Sequence, residues 1–335
     1  MKLKSTLILA LLCAFTGLSA RSIYVSTSGN DANSGTETAD FNFSYFNGEI
    51  YERDAIFAGR NPADELIERR DRNAKHFQNP DGTIDAYISS GALNYEVNGQ
   101  WYTIQRQYTT NSTGKYTDYE FVNNKNFFHT YLSSQQDKGI ITLVDGFSIK
   151  EWNNKRIEWW NEDLNKISEL SSVTTTSNPE GAKFTYNNVF PYTDALITQL
   201  HEGKKIDYEI KSPDFLQLIP NNAKYLVVAE EIEIPNGWTV DYFVESGVKY
   251  RNPNAHKMHL SVINNSGEEV LRYMPPKYFD SDELNRNIDD VGVYEFVQNG
   301  NIVTIYTIVP TEWIANENRV FPLTIDPTSS FYANG

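Results

Sequence analysis

The sequence predicts an all-β protein with minor helix, antiparallel and sandwich-like, with room for two packed subdomains. Three observations predict it. Tyr, Phe and Trp number 21, 18 and 6 among many Asn, Thr and Ser, a mixture that suits pleated strands and polar turns. Apolar residues alternate with period two in several short stretches. Turn signals built on Gly, Asn, Asp and Pro separate those stretches.

The N-terminus addresses the compartment. Lys2 and Lys4 precede an apolar run from Leu7 to Phe15, and Gly17-Leu18-Ser19-Ala20 supplies small residues before Arg21. This is the pattern of a cleaved signal peptide over residues 1–20, and the run is too short for ~30 Å of hydrocarbon. Cys13 sits inside that run, after Leu12, and reads as part of the signal rather than as a lipid-bearing cysteine. It is the only cysteine, so no intrachain disulfide can form and stability must come from a buried core. No later segment holds ~18 uninterrupted apolar residues, so no membrane span is expected. The predicted destination is extracellular or the cell surface.

Charge narrows the partners. The chain carries a formal −15, and removing residues 1–20 takes away two lysines and no acid, leaving −17. So acidic a surface repels phosphate backbones and anionic lipids. Nucleic acid is disfavoured as a partner, while divalent cations, glycans and surface proteins stay open.

After an N-terminal extension (21–50), the elements follow in order. Asn61 to Phe77, with Leu66 and Ile67 among dense charge, fits one polar surface helix. Asn79-Pro80-Asp81-Gly82 is a turn, and Thr83 to Ile88 alternates as a strand. Asn94–Val97 and Trp101–Ile104 flank Asn98-Gly99, the strongest short hairpin signal. Trp159 to Leu170 is a second helix candidate, through Leu164, Ile167 and Leu170. The Ser/Thr/Asn-rich stretch 171–179 reads as a linker between β-rich subdomains at 51–170 and 180–327. Lys224–Val228 leads into Glu231–Ile234 and the turn Pro235-Asn236-Gly237. Val291–Val297 and Ile302–Val309 form a hairpin around Asn299-Gly300. Phe321–Asp326 is a last strand stopped by Pro327, and 328–335 is a polar tail that suggests the front part of a longer protein. No fixed-period repeat supports a solenoid or propeller.

Several stretches carry a resemblance. They are His76–Thr83, Leu93-Asn94-Tyr95 with Gly99-Gln100-Trp101, Phe184–Asp194, Lys205–Pro213, Thr311-Glu312-Trp313 and Arg319–Pro327. In this order, over roughly residues 70–327, the chain resembles the N-terminal β-rich region of large bacterial secreted, cell-wall-associated and Rhs/YD-repeat-type surface proteins. The resemblance implies a non-catalytic, sandwich-like module ahead of functional domains, and it carries no catalytic residue across. Separately, residues 23–36 are similar to the opening strand and loop of secreted parallel β-helix proteins, many of which act on polysaccharides. The coil repeat of that family does not follow.

Chemical candidates are few. No G-x-S-x-G elbow is present. His256 and His259 are three apart in a stretch that reads as loop into strand, where zinc ligation is disfavoured. Glu230, Glu231 and Glu233 invite a glycosidase reading, but period-two placement facing water explains Glu231 and Glu233 equally well. Asp280, Asp282, Glu283, Asp289 and Asp290 form the densest acidic patch, whose oxygens suit calcium but lack the glycine-centred loop. Tryptophans in a sandwich without disulfides most often fill the core between sheets. Trp159 and Trp160 are the best exception, a candidate glycan platform, because neighbours on a strand face opposite sides. The leading expectation is a non-catalytic structural or interaction module, with no catalytic residues and no cofactor beyond calcium. A carbohydrate-binding module comes second and an exported polysaccharide-active enzyme third.

Overall fold

The computed structural model describes residues 23–26, 60–89, 91–243, 257, 259–282 and 291–332. It is an all-β protein of antiparallel sheets, two of them large and packed as a sandwich. Residues 1–20 lie outside the described residues, as does most of the stretch 21–50. The chain divides into two compact units, Met1–Ile104 and Gln105–Gly335.

The first unit holds strands β1 (Ile23–Ser26), β2 (Ala74–Gln78), β3 (Ile84–Ile88), β4 (Asn94–Val97) and β5 (Gln100–Thr103). They form a three-stranded sheet in the order β1-β3-β2 and a β4-β5 hairpin. Asn98 and Gly99 close that hairpin with φ of 53° and 79°, the two positive values that its two-residue turn requires. The helix expected over 61–77 is replaced by two 3-10 turns, Pro62–Asp64 and Ile67–Arg69, followed by β2. Its few apolar residues do not form a helical stripe. Ala74 and Phe77 are instead buried in strand geometry.

The second unit contains β6 (Thr109–Thr110), β7 (Phe121–Asn123), β8 (Phe128–Leu132), β9 (Ile140–Val144), β10 (Phe147–Trp160), β11 (Lys166–Ser171), β12 (Pro179–Glu180), β13 (Lys183–Phe190), β14 (Thr193–Gln199), β15 (Gly203–Ile210) and β16 (Tyr225–Glu233). It continues with β17 (Thr239–Tyr242), β18 (Leu260–Ile263), β19 (Glu269–Tyr273), β20 (Lys277–Asp280), β21 (Val293–Asn299), β22 (Ile302–Pro310), the one-turn helix α1 (Thr311–Ile314), β23 (Leu323–Asp326) and β24 (Thr328–Phe331). One sheet runs β21-β22-β16-β10-β9-β8-β7-β6, with β11 also on β10. The other runs β12-β13-β14-β15-β24-β19-β18-β17, with β23 on β15 and β20 on β23.

Two apolar clusters fill the space between these sheets. The first joins Trp152, Trp159 and Leu226 of one sheet to Phe184, Tyr186, Ile197 and Ile325 of the other. The second joins Phe128, Ile149, Val303 and Ile305 to Val262, Leu271, Tyr273 and Phe331. Burying side chains of this size supplies ~1.5–3 kcal/mol each, which is how a chain without disulfides holds a fold.

Three sequence expectations are corrected here. Trp159–Leu170 is not a helix but the end of β10, a turn and β11. Leu164 sits at φ 59° in that turn and is exposed, so the three-residue spacing reflected a hairpin, not a helical face. Residues 171–179 do not separate subdomains. Val173 N–H bonds to Val189 C=O, and Ser177 N–H to Ser134 C=O, so this stretch is stitched into the sandwich, whose strands come from both sides of it. The tail is not all turn either. Thr328–Phe331 pairs with both β15 and β19, and Phe331 is buried.

Candidate functional site

The strand β10 sets up the unusual chemistry. Its pairing with β16 slips between Lys150 and Asn153 and again between Asn153 and Arg156, and Trp152 and Asn154 adopt φ of 60° and 41°. A bulge puts successive residues on one face. Glu151 and Trp152, adjacent in sequence, are accordingly both buried. Gly139 makes room for the bulge: a Cβ there would lie 2.6 Å from the Glu151 carbonyl.

These side chains meet polar partners from the opposite sheet. Lys204 Nζ on β15 lies 2.7 Å from Glu151 Oε2 and 2.6 Å from Thr142 Oγ1. Thr142 Oγ1 in turn donates to Glu151 Oε2 at 2.5 Å. Trp152 Nε1–H donates to Tyr208 Oη at 2.7 Å, and Tyr208 O–H donates to Glu230 Oε2 at 3.3 Å. Lys155 donates to the Gln136 carbonyl at 2.9 Å and stands 4.0 Å over the Trp152 ring. Burial, and then the charge of Glu151, pushes the Glu230 carboxyl up to about 7. Burial brings the Lys155 amine down to about 7, and it lowers Lys204 as well. The cluster is enclosed between the sheets, with every member named here buried.

An open cleft lies elsewhere in the same unit. Asp145 and Gly146 turn β9 into β10 with φ of 49° and 82°, and Phe147 follows, 49% exposed. Its ring rests 5.3 Å from that of the buried Trp238, just after the Pro235-Asn236-Gly237 turn. The β18–β19 turn supplies Asn264, Asn265, Ser266 and Glu268. Asn264 Oδ1 accepts from the N–H groups of Ser266 and Glu268 at 2.9 Å, and its Nδ2 donates to Glu268 Oε2 at 2.9 Å. Gly237 (φ 85°) admits the close approach of Asn265, whose Oδ1 would stand 2.6 Å from any Cβ there. The cleft has a volume of about 240 Å³. Burial and the neighbouring Glu268 charge raise the Asp145 carboxyl.

No family, curated protein or solved structure matches this chain.

The residues singled out from sequence fall differently. Trp159 and Trp160 do face opposite sides of β10, but both sides are covered. Trp159 packs 5.7 Å from Phe215 in the inter-sheet core. Trp160 lies 5.1 Å from Tyr306 in a satellite cluster and donates to Glu158 at 2.6 Å. Neither presents a ring face to solvent, because aromatic area is spent on core packing first. Asp280 is buried at the end of β20, where its carboxylate faces Arg319 at 3.5 Å and accepts from the Asp282 and Val320 N–H groups. Glu283, Asp289 and Asp290 lie outside the described residues, as does His256. Among the described residues no three His, Cys, Asp or Glu side chains converge as metal ligands. Glu230 points into the sandwich while Glu231 and Glu233 do not, as alternation requires. Glu151 and Lys204 gave no sequence signal, since a bulge and a partner strand fifty residues away have no local signature.

Proposed function

We propose that the chain is a non-catalytic structural and interaction module of a bacterial surface protein. One contrast carries this reading. Glu230, Lys155 and Lys204 are enclosed between the sheets and held by buried polar partners, whereas the open cleft offers a half-exposed aromatic ring among amides and the carboxylates of Asp145 and Glu268. A ring face with fixed hydrogen-bonding groups is recognition chemistry. The signal-like N-terminus and the resemblance over residues 70–327 support a surface address.

Phe147 favours carbohydrate as the second reading. A pyranose presents a C–H face that an aromatic ring can cover, and its hydroxyls suit Asp145, Glu268 and the Asn265 amide. The test is a glycan array, with and without Ca²⁺, on wild type and Phe147→Ala. Binding weakened about tenfold (~1.4 kcal/mol) by Phe147→Ala, with an unchanged circular dichroism spectrum, supports the cleft. Release of reducing ends from a bound polysaccharide would instead favour an exported enzyme. If no glycan binds the folded protein, the carbohydrate reading is rejected and a protein partner becomes the next target.

A further inference from the structure

We propose that Lys204 and Glu151 condense to form an amide that cross-links the two sheets of the sandwich. The proposal rests on three side chains in contact. Lys204 is fully buried and Glu151 nearly so, at 2% exposure. The lysine Nζ lies 2.7 Å from Glu151 Oε2. Thr142 Oγ1, also fully buried, touches both, accepting from Nζ at 2.6 Å and donating to Oε2 at 2.5 Å. The rings of Phe331 and Phe128, 4.2 and 5.7 Å from Nζ, wall the amine off.

Burial makes the ion pair of Lys204 with Glu151 costly. Two charges taken out of water pay a large desolvation cost that their mutual attraction only partly recovers. Passing one proton from the ammonium to the carboxylate gives a neutral amine beside a neutral acid, which are the reactive forms. Burial lowers the proton affinity of Lys204 and so favours this transfer. The amine lone pair then attacks Glu151 Cδ. As the N–Cδ bond forms, nitrogen gives a second proton to Thr142 Oγ1, and the Thr142 hydroxyl proton passes to the protonated Oε2. The Cδ–Oε2 bond breaks and water leaves with the first lysine proton and the former Thr142 hydroxyl proton, which the second lysine proton replaces. No oxidant or cofactor enters, and Thr142 is regenerated.

The consequence suits the chain. It holds one cysteine and so no intrachain disulfide. An amide between β10 and β15 would close a loop 53 residues apart in sequence and restrict the unfolded ensemble as a disulfide does.

Mass spectrometry of the full purified chain decides. The intact mass, against that calculated from its own N-terminus, is expected to fall short by one water. A tryptic digest should give a branched peptide joining Lys204 to Glu151. Lys204→Met should restore the full mass, and Thr142→Val should slow closure roughly 100-fold, as expected for a lost proton relay. A cooperatively folded wild-type chain that keeps its full mass after prolonged incubation overturns the proposal, whatever the variants do. Loss of water mapped to another site also overturns it. Closure of Thr142→Val at the wild-type rate overturns the relay.

Discussion

At the scale of single residues, the enclosed carboxyl of Glu230 links stability to pH. Its proton affinity in the folded chain, about 7, exceeds the ordinary 4.5, chiefly because burial penalises the charged form. The folded state therefore holds this proton more tightly than the unfolded state does. The stabilisation is complete below pH ~4.5 and is lost as pH rises through about 7. Over that window Glu230 costs the fold ~3 kcal/mol. Lys155 acts in the opposite sense, because burial lowers its amine from 10.5 to about 7. Its charged form weakens the fold at low pH, and that cost is relieved as pH climbs from about 7 towards 10.5. Urea unfolding at pH 5 and pH 7.5 should show wild type losing stability between them. In Glu230→Gln the change between these two pH values should move by ~2 kcal/mol in favour of pH 7.5. An unchanged pH difference in the variant would mean that Glu230 does not titrate against burial.

At the scale of elements, the join between β15 and β24 leaves no room for a side chain at Gly203. Gly203 pairs with Ser330, and a Cβ on Gly203 would fall 1.8 Å from the Ser329 carbonyl oxygen. Backbone cannot yield as a flexible side chain can. Gly203→Ala should therefore force β24 off β15, pull Phe331 from the core and destabilise by ~3 kcal/mol or more. Equilibrium denaturation and hydrogen exchange of β24 amides check this. Hairpins closed by Asn98-Gly99 and Asn299-Gly300 were legible from sequence because their turns need positive φ within two or three residues. The strand β24 was not. Thr328-Ser329-Ser330 reads as polar tail by composition, and only pairing to strands on both sides makes it sheet. The same holds for Lys166–Ser171, whose apolar spacing fitted a helix until β10 claimed it.

At the scale of the whole molecule, the unit from Gln105 onwards contains both large sheets and both inter-sheet clusters. Residues 105–335 expressed alone should fold with β-sheet circular dichroism and unfold in one cooperative urea transition. A chain that stays unfolded would show that the first unit supplies part of the stability.

The sequence by itself determined the class of fold, the hairpin turns and the balance of charge, because these depend on periodicities and dipeptides read within a few residues. It also determined that tryptophans in a sandwich lacking disulfides tend to the core. Only the tertiary structure decided which rings stay open to solvent and which charges are enclosed. Phe147 is exposed because its hairpin ends at the sandwich rim, and Glu151 is buried because two slips in β10 turn it inward against Lys204. Both outcomes follow from strand register and from partners far along the chain, which no local pattern encodes.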